Sequence, residues 1–112
     1  KECLDFAPDL IVGSSFGGGV LLQLVTEGLW QGPCLFLAQA GVMYKVTETL
    51  PPDLPAILVH GTDDTIVPIA GSEILAASSP NARLIKTADN HSLPTLCDGL
   101  FELCIDYLLL QK

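Results

Sequence analysis

The apolar run Leu10-Ile11-Val12 breaks at Gly13-Ser14-Ser15-Phe16-Gly17 and resumes as Gly18-Gly19-Val20-Leu21-Leu22-Gln23-Leu24-Val25. This reads as strand, tight turn and helix, and it constrains the chain more than any other segment. A G-x-S-x-G turn in this setting is a nucleophile elbow, so sharp that its central residue takes a strained backbone conformation. Strand and helix backbones pass close together there, so the flanking positions must be nearly free of side chain. Ser15 is expected to lift its hydroxyl above the sheet at the N-terminus of the helix. Free N–H groups and the positive dipole end favour a developing oxyanion at that point. Ser14, off the central position, is the weaker candidate, and the plain alternative is a Gly/Ser turn without chemistry. Phosphate-binding loops fit worse. No Gly-Lys-Ser/Thr follows, and Gly17-Gly18-Gly19 runs into Val20-Leu21-Leu22, which fails the G-x-G-x-x-G pattern.

Two later segments carry complementary chemistry. His60-Gly61-Thr62-Asp63-Asp64-Thr65-Ile66-Val67-Pro68 follows the apolar run Pro55-Ala56-Ile57-Leu58-Val59. Asp89-Asn90-His91-Ser92-Leu93 follows Ala82-Arg83-Leu84-Ile85-Lys86. Each puts an acid or a histidine in a loop just past a strand. A serine hydroxyl is a weak nucleophile without a base, and His91 is the candidate base. His60, at a strand end before Gly61, reads as a packed structural histidine. Asp64 is the candidate orienting acid, with Asp63 as its competitor. Asp89 is either a surface charge or a supporting partner of the histidine loop. Asp63, Asp64, Asp89 and His91 lack metal-ligand spacing, so neither a metal nor a cofactor is expected.

The chain order Ser15, Asp64, His91 is that of the α/β-hydrolase triad. With all three motifs in this order the chain resembles the α/β-hydrolases from Pro8 to about Leu110. The resemblance implies an α/β fold: three layers, with a mostly parallel sheet of about four strands and flanking helices. It corresponds to the C-terminal half of that superfamily's fold. It implies a single domain over residues 1–112, truncated on its N-terminal side, because only twelve residues precede Gly13. The chain does not open on Met, its only Met being Met43, which also reads as a processed or truncated product.

The resemblance further implies a serine hydrolase acting on a small-molecule ester or thioester through an acyl-enzyme. Ser15 would be the nucleophile, His91 the base and Asp64 the orienting acid. Phe16 would give one oxyanion N–H. The second donor, carried by a loop of the half that is not matched, would be missing, and one lost donor costs roughly two to three orders of magnitude in rate. The alternative is a non-catalytic remnant or half-domain acting as an interaction module. Without a neighbour, Leu10-Ile11-Val12 would form an exposed apolar edge, and such edges promote association. A homo-oligomer through that edge or through an apolar helix is expected.

The rest of the chain is consistent with this. Strands are expected over about Asp9–Gly13, Cys34–Ala38, Ala56–His60 and Arg83–Thr87. Short, apolar strands alternating with helices imply a parallel sheet covered on both faces. Helices are expected over about Phe16–Gly28, Ile69–Ser78 and Leu93–Leu110. Gly28 is a stop signal for the first, and Pro68 suits the first turn of the second. The last has Asp98, Glu102 and Asp106 as one polar stripe and is apolar over more than half its surface. It should be buried on more than one side or lie at an interface. Gly41–Pro55, ending in the stiff Pro51-Pro52-Asp53-Leu54-Pro55, is the candidate substrate-side loop.

A 49% hydrophobic content in 112 residues supports one real core. The net charge of −8 argues against nucleic acid and against anionic membrane surfaces. No apolar stretch reaches the ~18 residues of a membrane span, and Lys1-Glu2-Cys3-Leu4-Asp5 does not form a signal peptide. Cys3, Cys34, Cys97 and Cys104 lack C-x-x-C spacing and read as reduced structural thiols of a cytoplasmic protein.

Overall fold

The computed structural model describes residues 9–94 and 99–111. Cys3, Leu96, Cys97 and Asp98, which the sequence reading used, lie outside the described residues. The four apolar runs form strands β1 (Ile11–Ser14), β2 (Cys34–Leu37), β3 (Ala56–Gly61) and β4 (Ala82–Thr87). They pair in the order β1-β2-β3-β4, every neighbour parallel. Between and after them run α1 (Phe16–Thr26), α2 (Ala70–Ala77) and α3 (Leu100–Leu109). The fold is α/β, as the alternation of elements implies.

Side chains alternate across each strand, and the two faces make two cores. Cys34, Phe36, Ala56 and Leu58 pack with Leu21, Leu22 and Val25 of α1 and Leu75 of α2. Leu35, Leu37, Ile57 and Val59 pack with Cys104 and Leu108 of α3. Helices therefore cover both faces, which gives three layers. Every residue of β2 and β3 is buried, which is why β2 and the Ala56–Val59 part of β3 read as unbroken apolar runs. The edge strands differ. β1 alternates buried and exposed, and Val12 and Ser14 are open because α3 lies over β2 and β3 instead. β4 exposes Arg83 and Lys86.

The connections correct three expectations. The Pro51–Pro55 stretch is at the far end of the sheet from Ser15. Its Pro55 carbonyl accepts the Cys34 N–H at the start of β2. A parallel connection must return to the N-terminal end of the next strand, so only the first part of the Gly41–Pro55 loop stays on the Ser15 side. The last helix is described from Leu100, not Leu93. Leu93 is buried with φ +52, a backbone state a right-handed helix cannot use. Finally, of the two arrangements expected for the last helix, burial on more than one side does not hold: α3 buries one face, through Cys104 and Leu108, and leaves Leu103 exposed, as is Leu110 just after it.

The stop of α1 is as expected. Gly28 takes φ +73 and its N–H bonds the Val25 carbonyl, while the Leu29 N–H reaches back to Leu24. That is a Schellman closure, with glycine in the left-handed position it favours. Cys34 and Cys104 are free and buried. Burial, opposed by a hydrogen bond from Trp30, pushes the Cys34 thiol up to about 12, and burial also raises Cys104. Both behave as packing groups. No helix among the described residues is long and apolar enough to cross a membrane.

Candidate active site

Ser15 sits between β1 and α1 with φ 53 and ψ −115. Holding a non-glycine residue there costs about 1–3 kcal/mol unless its surroundings over-determine it. Here they do. The Ser15 N–H donates to the Leu37 carbonyl at 2.8 Å, and the Ser15 carbonyl accepts the Ala40 N–H at 3.0 Å. Room for so tight a turn comes from missing side chains. A Cβ on Gly13 would stand 2.6 Å from the Gly17 carbonyl oxygen, and one on Gly18 would stand 2.7 Å from the Gln39 Cβ. Gly17, a fixed position of the motif, has open space around it. The close approach falls on Gly13 and Gly18.

The three loop residues converge at the C-terminal ends of the strands. His91 Nε2 is 2.8 Å from Ser15 Oγ, and His91 Nδ1 is 2.7 Å from Asp64 Oδ2. The other carboxylate oxygen, Oδ1, accepts the Val67 N–H at 2.7 Å and the Ile66 N–H at 2.9 Å. The Asp64 side chain is fully buried and that of His91 is 21% exposed. Burial by itself raises the Asp64 pKa. The hydrogen bond from His91, the Val67 and Ile66 N–H groups and the charge of the ring more than reverse this and hold the carboxyl below its ordinary 3.8. An ionised Asp64 keeps the His91 proton on Nδ1 and leaves Nε2 as an acceptor for the Ser15 hydroxyl.

Gly61 explains why the acid and histidine loops meet. A Cβ there would stand 2.2 Å from the Asp89 carbonyl oxygen. Without one, the Thr62 N–H bonds the Thr87 carbonyl and the Asp63 N–H bonds the Asp89 carbonyl. Asn90 then shapes the turn by accepting the Ser92 N–H at 3.0 Å.

The competitors Ser14, which ends β1, and Asp63 are both exposed. Asp89 is buried, so it is not a surface charge. His60 is fully buried, as expected of a packed histidine. It nevertheless comes within 3.3 Å of Asp64 Oδ2, bonds Ser72 and the Val67 carbonyl, and Ser72 in turn bonds Gln39. The sequence reading did not single out Gln39 or Ser72. One signal was available: Gln39 is the sole polar side chain in the apolar run Cys34–Ala40, and a buried amide must find partners.

Several large apolar side chains are exposed on the Ser15 turn and the loops after β2 and β3. Phe16 is 66% exposed and meets Tyr44 edge-to-face, with ring centroids 5.8 Å apart. Met43 and Ile66 are also exposed. A cavity of about 190 Å³ opens between the Met43 turn and the start of α2, lined by Val42, Met43, Val67, Pro68 and Ile74 among others. Three larger hollows lie away from Ser15, one under the Pro51–Leu54 loop, one beside α3 and one between Pro55, Asn81 and Gln111. They hold none of the converging residues. Among the described residues no cluster of three or more His, Cys, Asp or Glu is placed to hold a metal ion.

The family model described as "Serine hydrolase (FSH1)" matches residues 9–99. Solved structures share the fold at low identity. A CIB-like hydrolase from Thermoplasma acidophilum aligns with a TM-score of 0.70 at 22% identity, over 96% of this chain and 54% of its own. Est1E from Butyrivibrio proteoclasticus aligns with a TM-score of 0.74 at 19% identity, over 97% of this chain and 66% of its own. A monoacylglycerol lipase from Paleococcus ferrophilus gives 0.72 at 13% identity, over 97% of this chain and 71% of its own. The chain thus spans 54–71% of the length of these structures. No curated protein matches it in sequence.

Proposed function

The chain belongs to the serine hydrolase family whose model spans residues 9–99, and from that premise we propose that it hydrolyses small-molecule esters or thioesters through an acyl-enzyme on Ser15. The observation that carries this is the continuous chain Ser15 Oγ, His91, Asp64, with links of 2.8 and 2.7 Å. In the proposed reaction His91 Nε2 takes the Ser15 proton as Oγ bonds the substrate carbonyl carbon. Collapse of the tetrahedral adduct breaks the bond to the alcohol or thiol, which leaves with the proton from His91. Water, deprotonated by the same nitrogen, then attacks the acyl-serine, releasing the acid and restoring Ser15.

Charge on the carbonyl oxygen would meet the first turn of α1. Ser15 occupies the N-cap position but makes no side-chain cap bond, since its hydroxyl faces His91. The first N–H groups of a helix have no intrahelical acceptor, and Phe16 carries the first of them. It is the proposed oxyanion donor. Exposed Phe16, Tyr44, Met43 and Ile66 suit a substrate with an apolar acyl or alkyl part.

The alternative, a non-catalytic interaction module, draws on the single donor identified beside Ser15 among the described residues, where acyl-transfer sites of this kind use two. One experiment separates them. Incubation with a fluorophosphonate should add one adduct to the wild-type chain, seen by intact mass, and none to Ser15→Ala. His91→Ala should slow the adduct about a thousandfold or more. A wild-type chain that stays unmodified, or a Ser15→Ala chain modified equally, would overturn the catalytic reading.

A further inference from the structure

Behind Asp64 lies a buried polar chain that the proposed reaction does not use. Gln39, Ser72 and His60 are each at most 1% exposed. They come from three elements: the loop after β2, helix α2 and the end of β3. Their hydrogen bonds have one permitted direction. Gln39 Oε1 accepts the N–H of Gly41 at 2.8 Å and of Val42 at 3.4 Å, which aims the amide nitrogen at Ser72. Gln39 Nε2 donates to Ser72 Oγ at 3.1 Å. The Val67 carbonyl, 2.8 Å from His60 Nε2, can only accept, so the ring proton sits on Nε2, which also stands 3.3 Å from Asp64 Oδ2. In the neutral ring Nδ1 is then bare and accepts the Ser72 hydroxyl, 2.7 Å away. Val67 closes the circuit, because its own N–H holds Asp64 Oδ1.

We propose that Gln39, Ser72 and His60 are positioning residues, a one-way hydrogen-bond relay that starts at the Gly41 and Val42 amides and fixes the orientation of the Asp64 carboxylate under His91. The inference rests on the reading of Asp64 as the partner of His91. Apolar side chains would fill the same space, but they would not choose between carboxylate orientations, whereas a fully satisfied buried network does. The relay also begins in the segment that secures the nucleophile. Ala40, between Gln39 and Gly41, is the residue whose N–H holds the Ser15 carbonyl. The acid and the serine are thereby referenced to the same few residues. Small misplacements matter in such a site, since a shift of about 1 Å can cost a hundredfold in rate.

The chain has two histidines, so nitrogen-15 imidazole spectra report each ring separately. In the wild type His60 should show the Nε2–H tautomer. An Nδ1–H tautomer would overturn the relay at once, with no variant needed. Ser72→Ala should mix the His60 tautomers and move the His91 Nδ1–H resonance. It should also slow fluorophosphonate labelling of Ser15 about ten- to a hundredfold. His60→Gln, whose amide can still donate toward Val67, should recover most of that rate, whereas His60→Leu should not. Unchanged His91 signals and labelling in Ser72→Ala, with only the melting temperature lowered, would show a network that supports the fold alone. Should His60→Leu fail to fold, Ser72→Ala, which removes one hydroxyl, decides. A moved His91 resonance in a chain that never labels would uphold the relay and overturn the hydrolase reading.

Discussion

Ser15 gives up one role for another. A serine at the N-cap commonly closes the first turn of its helix, and losing such a cap costs about 1 kcal/mol. Here the hydroxyl faces His91, no side chain caps α1, and the helix has no acidic residue in its first turn. The first turn is thus left open to an anion. Asp64 shows a second balance, of burial against hydrogen bonds, and the hydrogen bonds prevail. A carboxyl whose pKa is lowered on folding adds stability above its unfolded value, and loses it as pH falls through the folded value. Asp64→Asn should therefore be less stable than wild type at neutral pH. The gap measured by urea unfolding should hold down to about pH 5 and close as pH falls below the ordinary carboxylate range near 3.9. A gap of constant size down to pH 3 would show that Asp64 is not held ionised by its partners. The same variant should lower the labelling rate of Ser15 by about three to four orders of magnitude, because an amide no longer selects the His91 tautomer. Ser15, Asp64 and His91 were legible in the sequence because each sits in a short motif just past an apolar run. Ser72 and the role of His60 were not, because their partners lie 12 and 33 positions apart along the chain, beyond the reach of any local pattern.

At the scale of elements, the elbow is built by contacts between consecutive strands. α1 approaches the Gln39 segment through Gly18, and the motif glycine Gly17 faces open space. The two should respond oppositely to the same substitution. Gly17→Ala meets nothing and gains helix propensity, so stability should rise by up to about 1 kcal/mol. Gly18→Ala drives a methyl into Gln39 and should cost about 1–3 kcal/mol as overpacking. Thermal unfolding followed by circular dichroism checks both, and equal effects would contradict the packing described for the turn. The number of strands, their parallel run and the number of helices could be anticipated because the strands read as short apolar runs punctuated by Gly and Pro. The edges and the last helix were less legible. Periodicity says which face of an element is apolar, not whether a neighbour covers it, and Leu93 looks helical by composition while the His91 loop holds it at positive φ.

Coverage is the question at the scale of the whole molecule. Parallel sheets are ordinarily covered on both faces, yet α3 leaves Val12 on β1 39% exposed. Leu103 and Leu110 of the α3 region are 67% and 83% exposed. An apolar groove of about 350 Å³ runs beside α3, between Ile57, Arg83, Ile85, Leu100 and Tyr107. We propose that the chain self-associates through the β1 edge or the α3 face. Exposed strand edges with apolar side chains are templates for pairing, and large apolar patches mark interaction surfaces. The −8 charge acts the other way. Copies that each carry it repel, and salt screens that repulsion, with a Debye length of about 10 Å at 0.1 M and 3 Å at 1 M. Association by apolar contact against charge should therefore strengthen with salt, whereas association by salt bridges would weaken. Sedimentation at micromolar concentration in about 0.05 M and about 1 M salt distinguishes the two. Val12→Lys tests the strand edge and Leu103→Glu the helix face, since each adds a charge at an exposed apolar side chain. The variant that reduces the oligomer while its melting temperature holds identifies the surface used. A monomer of 11.9 kDa at both salt concentrations would refute self-association by either route.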